Sequence, residues 1–289
     1  MNKLVIFGVG LIGGSLALAL RRSMKELHIV GVGRSGESLQ NALDLGVINE
    51  ASTSTELALQ GADMVVIAVP VAQTPNILKL IAPHLNHQTV ITDVGSTKSD
   101  VIDYAAAILG DQFSQFVPGH PIAGAEKSGV SAARADLFDS KNIVLTPTPE
   151  TSDTALTLTK DLWIAAGARV TEMSASHHDQ IFAAVSHLPH LLAFALVENL
   201  AMRPDAEELF AFAASGFRDF TRIAGSSPEM WRDISLANRN ALMSELESYQ
   251  ASLSALHTLL DNRDAKGLQA LFEKASHARN DWSQPSKKS

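Results

Sequence analysis

An α/β domain built on a doubly wound, mostly parallel sheet, followed by an all-α domain, is the fold this sequence predicts. Three observations carry it. Short apolar, β-rich runs alternate with helical patterns up to Met173. Three glycines, Gly8, Gly10 and Gly13, follow the first run and open the first helical pattern. From Ser174 to the end there is no convincing strand. Strands alternating with helices call for a parallel sheet covered on both faces.

The strand candidates are Lys3–Phe7, His28–Val32, Met64–Val69, Thr89–Asp93, Phe116–Pro118, Ile143–Thr146 and Arg169–Met173. They run apolar with little alternation, as strands do when helices cover both faces. Helical stretches lie between most of them, among them Gly14–Ser23, Thr74–Ala82 and Ser152–Ala166. The 289 residues suffice for two domains at roughly 150 residues each, and the change in character places them at 1–173 and 174–289. In the second, a buried helix is expected over His177–Met202 with Pro189 as a kink, and another helical segment after Asp205. Glu229 to Leu260 then runs without proline or glycine. Within it Leu242, Leu246, Tyr249, Leu253, Leu256 and Leu260 form a coiled-coil-like seam. The seam packs against its own domain or against a second subunit. Exposed, it would make a patch that a soluble monomer rarely tolerates, so a two-fold homodimer through the helical domain is expected. The polar tail Ser283–Ser289 reads as frayed.

Bulk properties narrow the function classes. A net charge of −8 and a pI near 5.7 argue against a nucleic-acid partner. An anionic substrate must therefore be met by local positive charge. The absence of cysteine excludes disulfides, thiolate catalysis and cysteine-ligated metals, and fits a cytoplasmic location. The apolar stretch Leu4–Leu20 imitates a signal peptide, but glycines interrupt it and Arg21-Arg22 follows without a cleavage site. The run Leu191–Val197 is too short to span a bilayer, which takes about 20 residues, so no membrane partner is expected.

The triplet Gly8-Val9-Gly10-Leu11-Ile12-Gly13 has the context of a dinucleotide fingerprint, after a strand and opening a helix. The first glycine makes the turn, the second lets backbone approach a pyrophosphate, and the third lets helix and strand pack. Leu11 and Ile12 open the helix whose free N–H groups face the phosphates. Val69 and Pro70, at the end of the Met64–Val69 run, complete the expected cofactor contacts. This identifies a Rossmann-type domain. The second strand ends in Gly33-Arg34-Ser35 with no acid to hold the ribose 2′-OH of NAD. Gly33 leaves room, and Arg34 and Ser35 can bind a 2′-phosphate. The alternative is an exposed loop arginine; the missing acid tips the reading to NADP over NAD.

Pro118-Gly119-His120-Pro121 places one histidine in a stiff backbone after an apolar run. With an unperturbed pKa near ~6.5, it suits proton transfer at neutral pH. Ser96, in Asp93-Val94-Gly95-Ser96-Thr97-Lys98, is either a helix N-cap or a substrate contact at the sheet's carboxyl edge. Ser186-His187-Leu188-Pro189-His190 offers a histidine pair; with no third ligand pattern, a core or substrate role is favoured over metal, and no metal is expected. Gly216–Arg222 and Met230–Asp233 set Arg218, Arg222 and Arg232 beside aromatics, like an anion clamp with Asp219 orienting Arg222. Surface salt bridges would equally account for Arg218 and Arg232.

Together these segments resemble the prephenate/arogenate dehydrogenase family of tyrosine biosynthesis. The resemblance covers nearly the whole chain: Gly8–Ser15, Asp93–Lys98, Gly119–Gly129, Ser186–His190 and Gly216–Trp231 stand in the family's order and rough spacing. It implies a dinucleotide-binding domain followed by a helical domain that forms the dimer. It places the catalytic histidine on His120 and the substrate-binding arginine on Arg222. It also implies that Ser96 and His190 lie near the substrate, with Glu126 and Ser186 at the entrance. Arg218 stands where some relatives carry lysine, and Trp231 belongs to the last matching segment. NAD-using relatives carry an acid at the position of Gly33, where this chain departs. The implied substrate is a cyclohexadienol with a carboxylate at C1 and a hydroxyl at C4. Hydride leaves C4 for the nicotinamide, a base takes the hydroxyl proton, carbon dioxide leaves C1, and the ring becomes aromatic. Ser96 would orient the hydroxyl and Arg222 would hold a carboxylate.

Two rivals remain at this point. A hydroxyacid dehydrogenase of similar architecture would use a lysine of the second domain as acid/base, yet Met173 to Leu260 contains none. A catalytically silent NADP-binding sensor would not need His120 and Arg222 together. Between prephenate and arogenate, Glu126–Gly129 and His190 favour prephenate.

Overall fold

The computed structural model describes residues 1–125 and 127–283. Glu126 and the end of the tail therefore lie outside the described residues. The chain divides by packing into two compact units, Met1–Arg239 and Asn240–Ser289.

In the first unit the strands begin with β1 (Lys3–Phe7), β2 (His28–Val32), β3 (Glu50–Ser52), β4 (Met64–Ile67), β5 (Val90–Asp93) and β6 (Phe116–Val117). These form one all-parallel sheet in the order β3-β2-β1-β4-β5-β6. The order reverses beside β1, which opens the crevice where such sheets bind ligands. Helices α1 (Leu11–Ser23), α2 (Gly36–Asp44), α3 (Thr55–Leu59), α4 (Thr74–Ile81) and α5 (Ser99–Leu109) connect the strands. The central strands are fully buried: Leu4, Val5, Ile6, Val65 and Val66 have no exposed surface. Alternate residues feed two apolar clusters, one on each face. Leu4, Ile6 and Val66 join one; Val5, Phe7 and Val65 join the other.

The remaining strands depart from a single sheet. β7 (Gly119–Pro121), β8 (Asn142–Leu145) and β9 (Arg169–Glu172) form a separate three-stranded sheet, with β7 antiparallel to β8 and β9 parallel to it. β3 and β7 fall outside the expected strands. The first is three residues long without an apolar run, and the second holds a glycine and a proline. Helix α6 (Asp153–Ala165), capped by Ser152, joins β8 to β9.

Beyond β9 the described residues form helices and no strand. α7 (Ala175–Phe182) passes through a π-helical turn, Ala183–His187, into α8 (Leu188–Ala201). Pro189 sits in the first turn of α8. The wide turn ahead of it absorbs the hydrogen bond that proline cannot make, so the helix runs on as a π-bulge. By length and composition the run Ala175–Ala201 is long and apolar enough to cross a membrane; the shorter count over Leu191–Val197 missed this because polar residues punctuate the helix. α9 (Ala206–Ala211), α10 (Ser215–Thr221), a 3-10 turn over Arg222–Gly225 and α11 (Pro228–Ala237) follow. Trp231 and Ile234 of α11 join the cluster of Val65, Ile67 and Val71, so this helical segment packs as one unit with the nucleotide-binding sheet. The stretch Glu229–Leu260 is not one helix. It breaks at Asn238, whose side-chain amide donates to the backbone carbonyl of Asp179 at 2.7 Å.

Among the described residues, α12 (Arg239–Asp261) and α13 (Ala265–Ser283) follow. Along the seam Leu253 is 47% and Leu260 59% exposed in the single chain.

Candidate active site

The glycine triplet does what its spacing requires. Gly8 has φ +97, and a Cβ there would lie 2.4 Å from the carbonyl oxygen of Ala68. A Cβ at Gly13 would lie 2.3 Å from the Gly8 carbonyl oxygen. At Gly10, the N-cap of α1, a Cβ would meet nothing within 4 Å. The backbone is thus open to a ligand where the N–H groups of Leu11 and Ile12 begin the helix. A cavity of 560 Å³ adjoins it, lined by Gly8, Gly10, Val32, Gly33, Arg34, Ala68, Val69, Pro70 and Gln73 among others. This cradle fits a dinucleotide. Thr53 and Thr55, after β3, also line it; they went unseen because β3 carries no apolar signal. Ser35 caps α2, its hydroxyl oxygen accepting from the Ser38 N–H at 3.3 Å. Its own hydrogen stays available to a phosphate. Arg34 is exposed beside it.

His120 is delivered by a buried tether. Asp93 ends β5, and its carboxylate accepts from the Gly119 N–H at 3.0 Å. The fully buried Lys98 pairs with Asp93 and donates to the Gly119 carbonyl at 2.8 Å. A buried pair of this kind is tolerable only when its remaining hydrogen bonds are satisfied, as here. It fixes His120 at the carboxyl edge of the parallel sheet. Ser96 lies half-buried in the loop between these two residues. It is not the cap of α5. The carboxylate of Asp179 takes that role, accepting from the Lys98 and Ser99 N–H groups at 2.9 Å each. The Ser96 hydroxyl is accordingly left for other work.

The imidazole of His120 is half-buried, packed edge-on against Phe182 and hydrogen-bonded through Nδ1 to Nε2 of His178 at 2.8 Å. Burial, then the neighbouring His178, Lys98 and His187, hold its pKa well below the usual histidine value. It is neutral at pH 7 and able to accept a proton. His178 and Asp179 were not singled out by sequence; the only signal was the polar run His177-His178-Asp179-Gln180 ahead of an apolar helical segment.

A second cluster lies on α8 and α11. The His190 ring stacks on Trp231, centroids 3.6 Å apart and planes at 20°. Nδ1 of His190 donates to the Ser186 carbonyl at 2.8 Å, which leaves Nε2 as an acceptor. Burial lowers the His190 pKa, and the positive charge of Arg222 lowers it further, so the guanidinium lies within electrostatic reach. Ser186 is half-buried in the π-turn. Arg218 and Asp219 are exposed on α10. Glu126 is outside the described residues. Among the described residues no group of three or more His, Asp or Glu side chains is placed to hold a metal ion.

Comparison with known proteins accords with this geometry. Residues 16–172 match the family model of the prephenate dehydrogenase nucleotide-binding domain, and residues 174–274 that of the prephenate dehydrogenase dimerization domain. The chain is 39% identical over 280 residues to the prephenate dehydrogenase of Bacillus subtilis (strain 168), covering 96% of this chain and 75% of that one. It is 33% identical to the cyclohexadienyl dehydrogenase of Zymomonas mobilis, covering 96% and 95%. Among solved structures, prephenate dehydrogenase from A. aeolicus in complex with hydroxyphenyl propionate and NAD+ superimposes with a TM-score of 0.92 at 39% identity, covering 98% of this chain and 99% of that one. The two family models together take in most of the chain, and the relatives match it over nearly its whole length: the chain belongs to the prephenate dehydrogenase family.

Proposed function

We propose that this protein oxidatively decarboxylates prephenate to 4-hydroxyphenylpyruvate with NADP as hydride acceptor. The observation that carries the reading is His120. It is a neutral, half-buried imidazole fixed at the sheet's carboxyl edge, and the cradle at Gly10 opens at the same edge. A nicotinamide held by the cradle at Gly8, Gly10 and Gly13 would supply the acceptor for the hydride that leaves C4 of the ring. His120 receives the C4 hydroxyl proton as that hydride departs, a contribution of about 10²–10⁴-fold for a positioned base. Ser96, free of a capping duty, orients the hydroxyl. Arg222, His190, Ser186 and the indole of Trp231 bind the other end of the substrate, Arg222 through a carboxylate. Arg218 is counted with them, and the family resemblance assigns Glu126, together with Ser186, to the entrance. Loss of carbon dioxide from C1 then makes the ring aromatic and drives the step.

The preference for NADP rests on Gly33-Arg34-Ser35. A Cβ at Gly33 would meet only the Leu39 side chain, at 3.5 Å or more. The position therefore accommodates an acid sterically and yet lacks one. A 2′-phosphate there meets Arg34, the Ser35 hydroxyl and the N-terminus of α2. The division into a nucleotide-binding part, 1–173, and a helical part, 174–289, belongs to this reading. So do a cytoplasmic homodimer and the absence of nucleic-acid and membrane partners. The apolar face of Ala175–Ala201 is then covered by a second subunit. Assaying prephenate and arogenate, each with NADP and with NAD, tests the proposal. The highest kcat/KM is expected for prephenate with NADP, and no turnover of either substrate would overturn it.

A further inference from the structure

A chain of hydrogen bonds leads from His120 into the interior. Nδ1 of His120 meets Nε2 of His178 at 2.8 Å, and Nδ1 of His178 meets Oδ1 of Asp179 at 2.8 Å. His178 has no exposed surface, and Asp179 is 6% exposed. Each hydrogen along this line can be assigned. The Asp179 carboxylate accepts from the Lys98 and Ser99 N–H groups at the start of α5. Those bonds, with that from His178, outweigh burial and keep its pKa below the usual value. An ionised carboxylate only accepts, so the hydrogen between Asp179 and His178 belongs to Nδ1 of His178. Burial holds His178 neutral. A neutral imidazole with Nδ1–H carries its lone pair on Nε2, so the hydrogen toward His120 belongs to Nδ1 of His120. The lone pair of His120 is then on Nε2, the edge not engaged by His178.

We propose that His178 and Asp179 are positioning residues for the reaction, fixing His120 as the Nδ1–H tautomer so that Nε2 is the proton acceptor. The inference rests on the proposed role of His120 as base. When Nε2 takes the substrate proton, the Nδ1–H bond to His178 strengthens, and the Asp179 carboxylate lies in line behind it. A carboxylate orienting a catalytic imidazole is worth up to about 10⁴-fold in kcat in hydrolytic triads. Here a second imidazole is interposed. The remaining groups around His120 do not compete for its Nδ1: Phe182 offers only a ring edge, and Lys98 is taken by Asp93 and Gly119.

A structural role alone is the alternative, since Asp179 caps α5 and His178 fills a buried site beside Phe182. Two substitutions at His178 separate the readings while leaving that cap in place. His178→Gln keeps an oxygen able to accept from the His120 Nδ1–H. His178→Phe keeps the ring shape but removes the acceptor. The tautomer reading ranks Gln above Phe in kcat, by about tenfold or more, with KM for both substrates changed little. Packing alone ranks Phe above Gln, and that order would overturn the proposal. Nitrogen-15 spectra of the histidine-labelled full chain, with His120 assigned by its absence in His120→Asn, give a readout independent of turnover. Protonated Nδ1 and bare Nε2 are expected at pH 7. A bare Nδ1 overturns the inference even if the enzyme is active. The expected tautomer in a protein that fails to oxidise prephenate would instead sink the proposed activity and leave the positioning intact.

Discussion

The ring of His190 lies flat on the indole of Trp231, 3.6 Å between centroids, although the two residues come from different helices. The pair makes a wall beside which the positive charge of Arg222 is felt at His190. Trp231 is anchored from behind by the apolar cluster of the nucleotide-binding sheet. The arginine and the wall are thereby held in register with the sheet edge that carries His120. Arg222 is exposed in the single chain, where a substrate carboxylate can reach it, and a hydrogen bond to a charged group is worth about 1.5–3 kcal/mol. Arg222→Ala should therefore reduce kcat/KM for prephenate by roughly 30-fold or more, mainly through KM. An unchanged KM would remove Arg222 from the substrate site.

His120→Asn should abolish most turnover and spare cofactor binding. The asparagine cannot accept the hydroxyl proton, so kcat should fall by about 10²-fold or more. The cradle at Gly8, Gly10 and Gly13 is built by other residues, and the dissociation constant for NADP, read by fluorescence quenching, should stay within about twofold of wild type. A variant that keeps near wild-type kcat would show that the base is elsewhere.

How much of this was legible without coordinates follows from the physics of each element. The parallel strands announced themselves because burial on both faces demands continuous apolar runs, as in Leu4–Phe7. The glycine triplet was legible because each close contact it permits is local. The second sheet was not, because β7 pairs through backbone across long sequence separations and its own residues, Gly119-His120-Pro121, carry no strand signal. The break at Asn238 lay equally out of reach. No proline or glycine marks it, and its cause is a tertiary bond to Asp179. His178 and Asp179 escaped for the same reason: their meaning depends on a contact with His120, 58 residues away. The reading of Ser96 as a possible cap failed because Asp179 arrives from another helix to take the α5 amides.

If the proposed preference for NADP holds, it should be reversible at one turn. Replacing Gly33 with Asp introduces a carboxylate that repels a 2′-phosphate and accepts from ribose hydroxyls, and the space next to Leu39 admits it. Combined with Arg34→Gln, it should turn a preference for NADP into one for NAD. Equal kcat/KM for the two cofactors in the wild type would contradict the reading of Gly33-Arg34-Ser35.

Stability should fall on mild acidification, and the sign follows from His187. This residue is 1% exposed, and its Nδ1 lies 3.0 Å from the Asn238 amide nitrogen, which donates to it. Burial above all, then His178 and His190 against an opposing Asp179, lower its pKa to about 4. In the unfolded chain the value returns to about 6.5. Above that pH the ring is neutral in both states and the folded form is fully favoured. As pH falls from 6.5 toward 4 the unfolded chain binds a proton that the folded one refuses, for a loss of about 3 kcal/mol across the window. His120 and His178, also lowered, act in the same direction. Urea midpoints measured from pH 7 to pH 5 should decline, and less steeply in His187→Leu. A flat profile would mean that these rings are not buried as neutral species.

Assembly gives the last test. The helix α12 is 23 residues long, and Leu253, Leu260, Phe272 and Trp282 of the second unit stand 47%, 59%, 57% and 78% exposed in the single chain. Apolar surface of that extent in the family's dimerisation domain calls for a partner, and a two-fold homodimer is the simplest closed solution. Light scattering should give twice the chain mass; a concentration-independent monomer would end the claim. Whether the catalytic sites are shared follows from which residues meet within one chain. His120 bonds His178 of α7, α7 continues into α8 with His190, and His190 stacks on Trp231 and feels Arg222, all within Met1–Arg239. These contacts lie within one chain, so each site is expected to draw these side chains from a single subunit. Mixing His120→Asn with Arg222→Ala subunits under demonstrated exchange should restore no activity, because every site keeps one defect. Recovery toward about a quarter of wild-type turnover, the random-mixing value for a two-fold dimer with one intact composite site per heterodimer, would show instead that the subunits complete each other's sites.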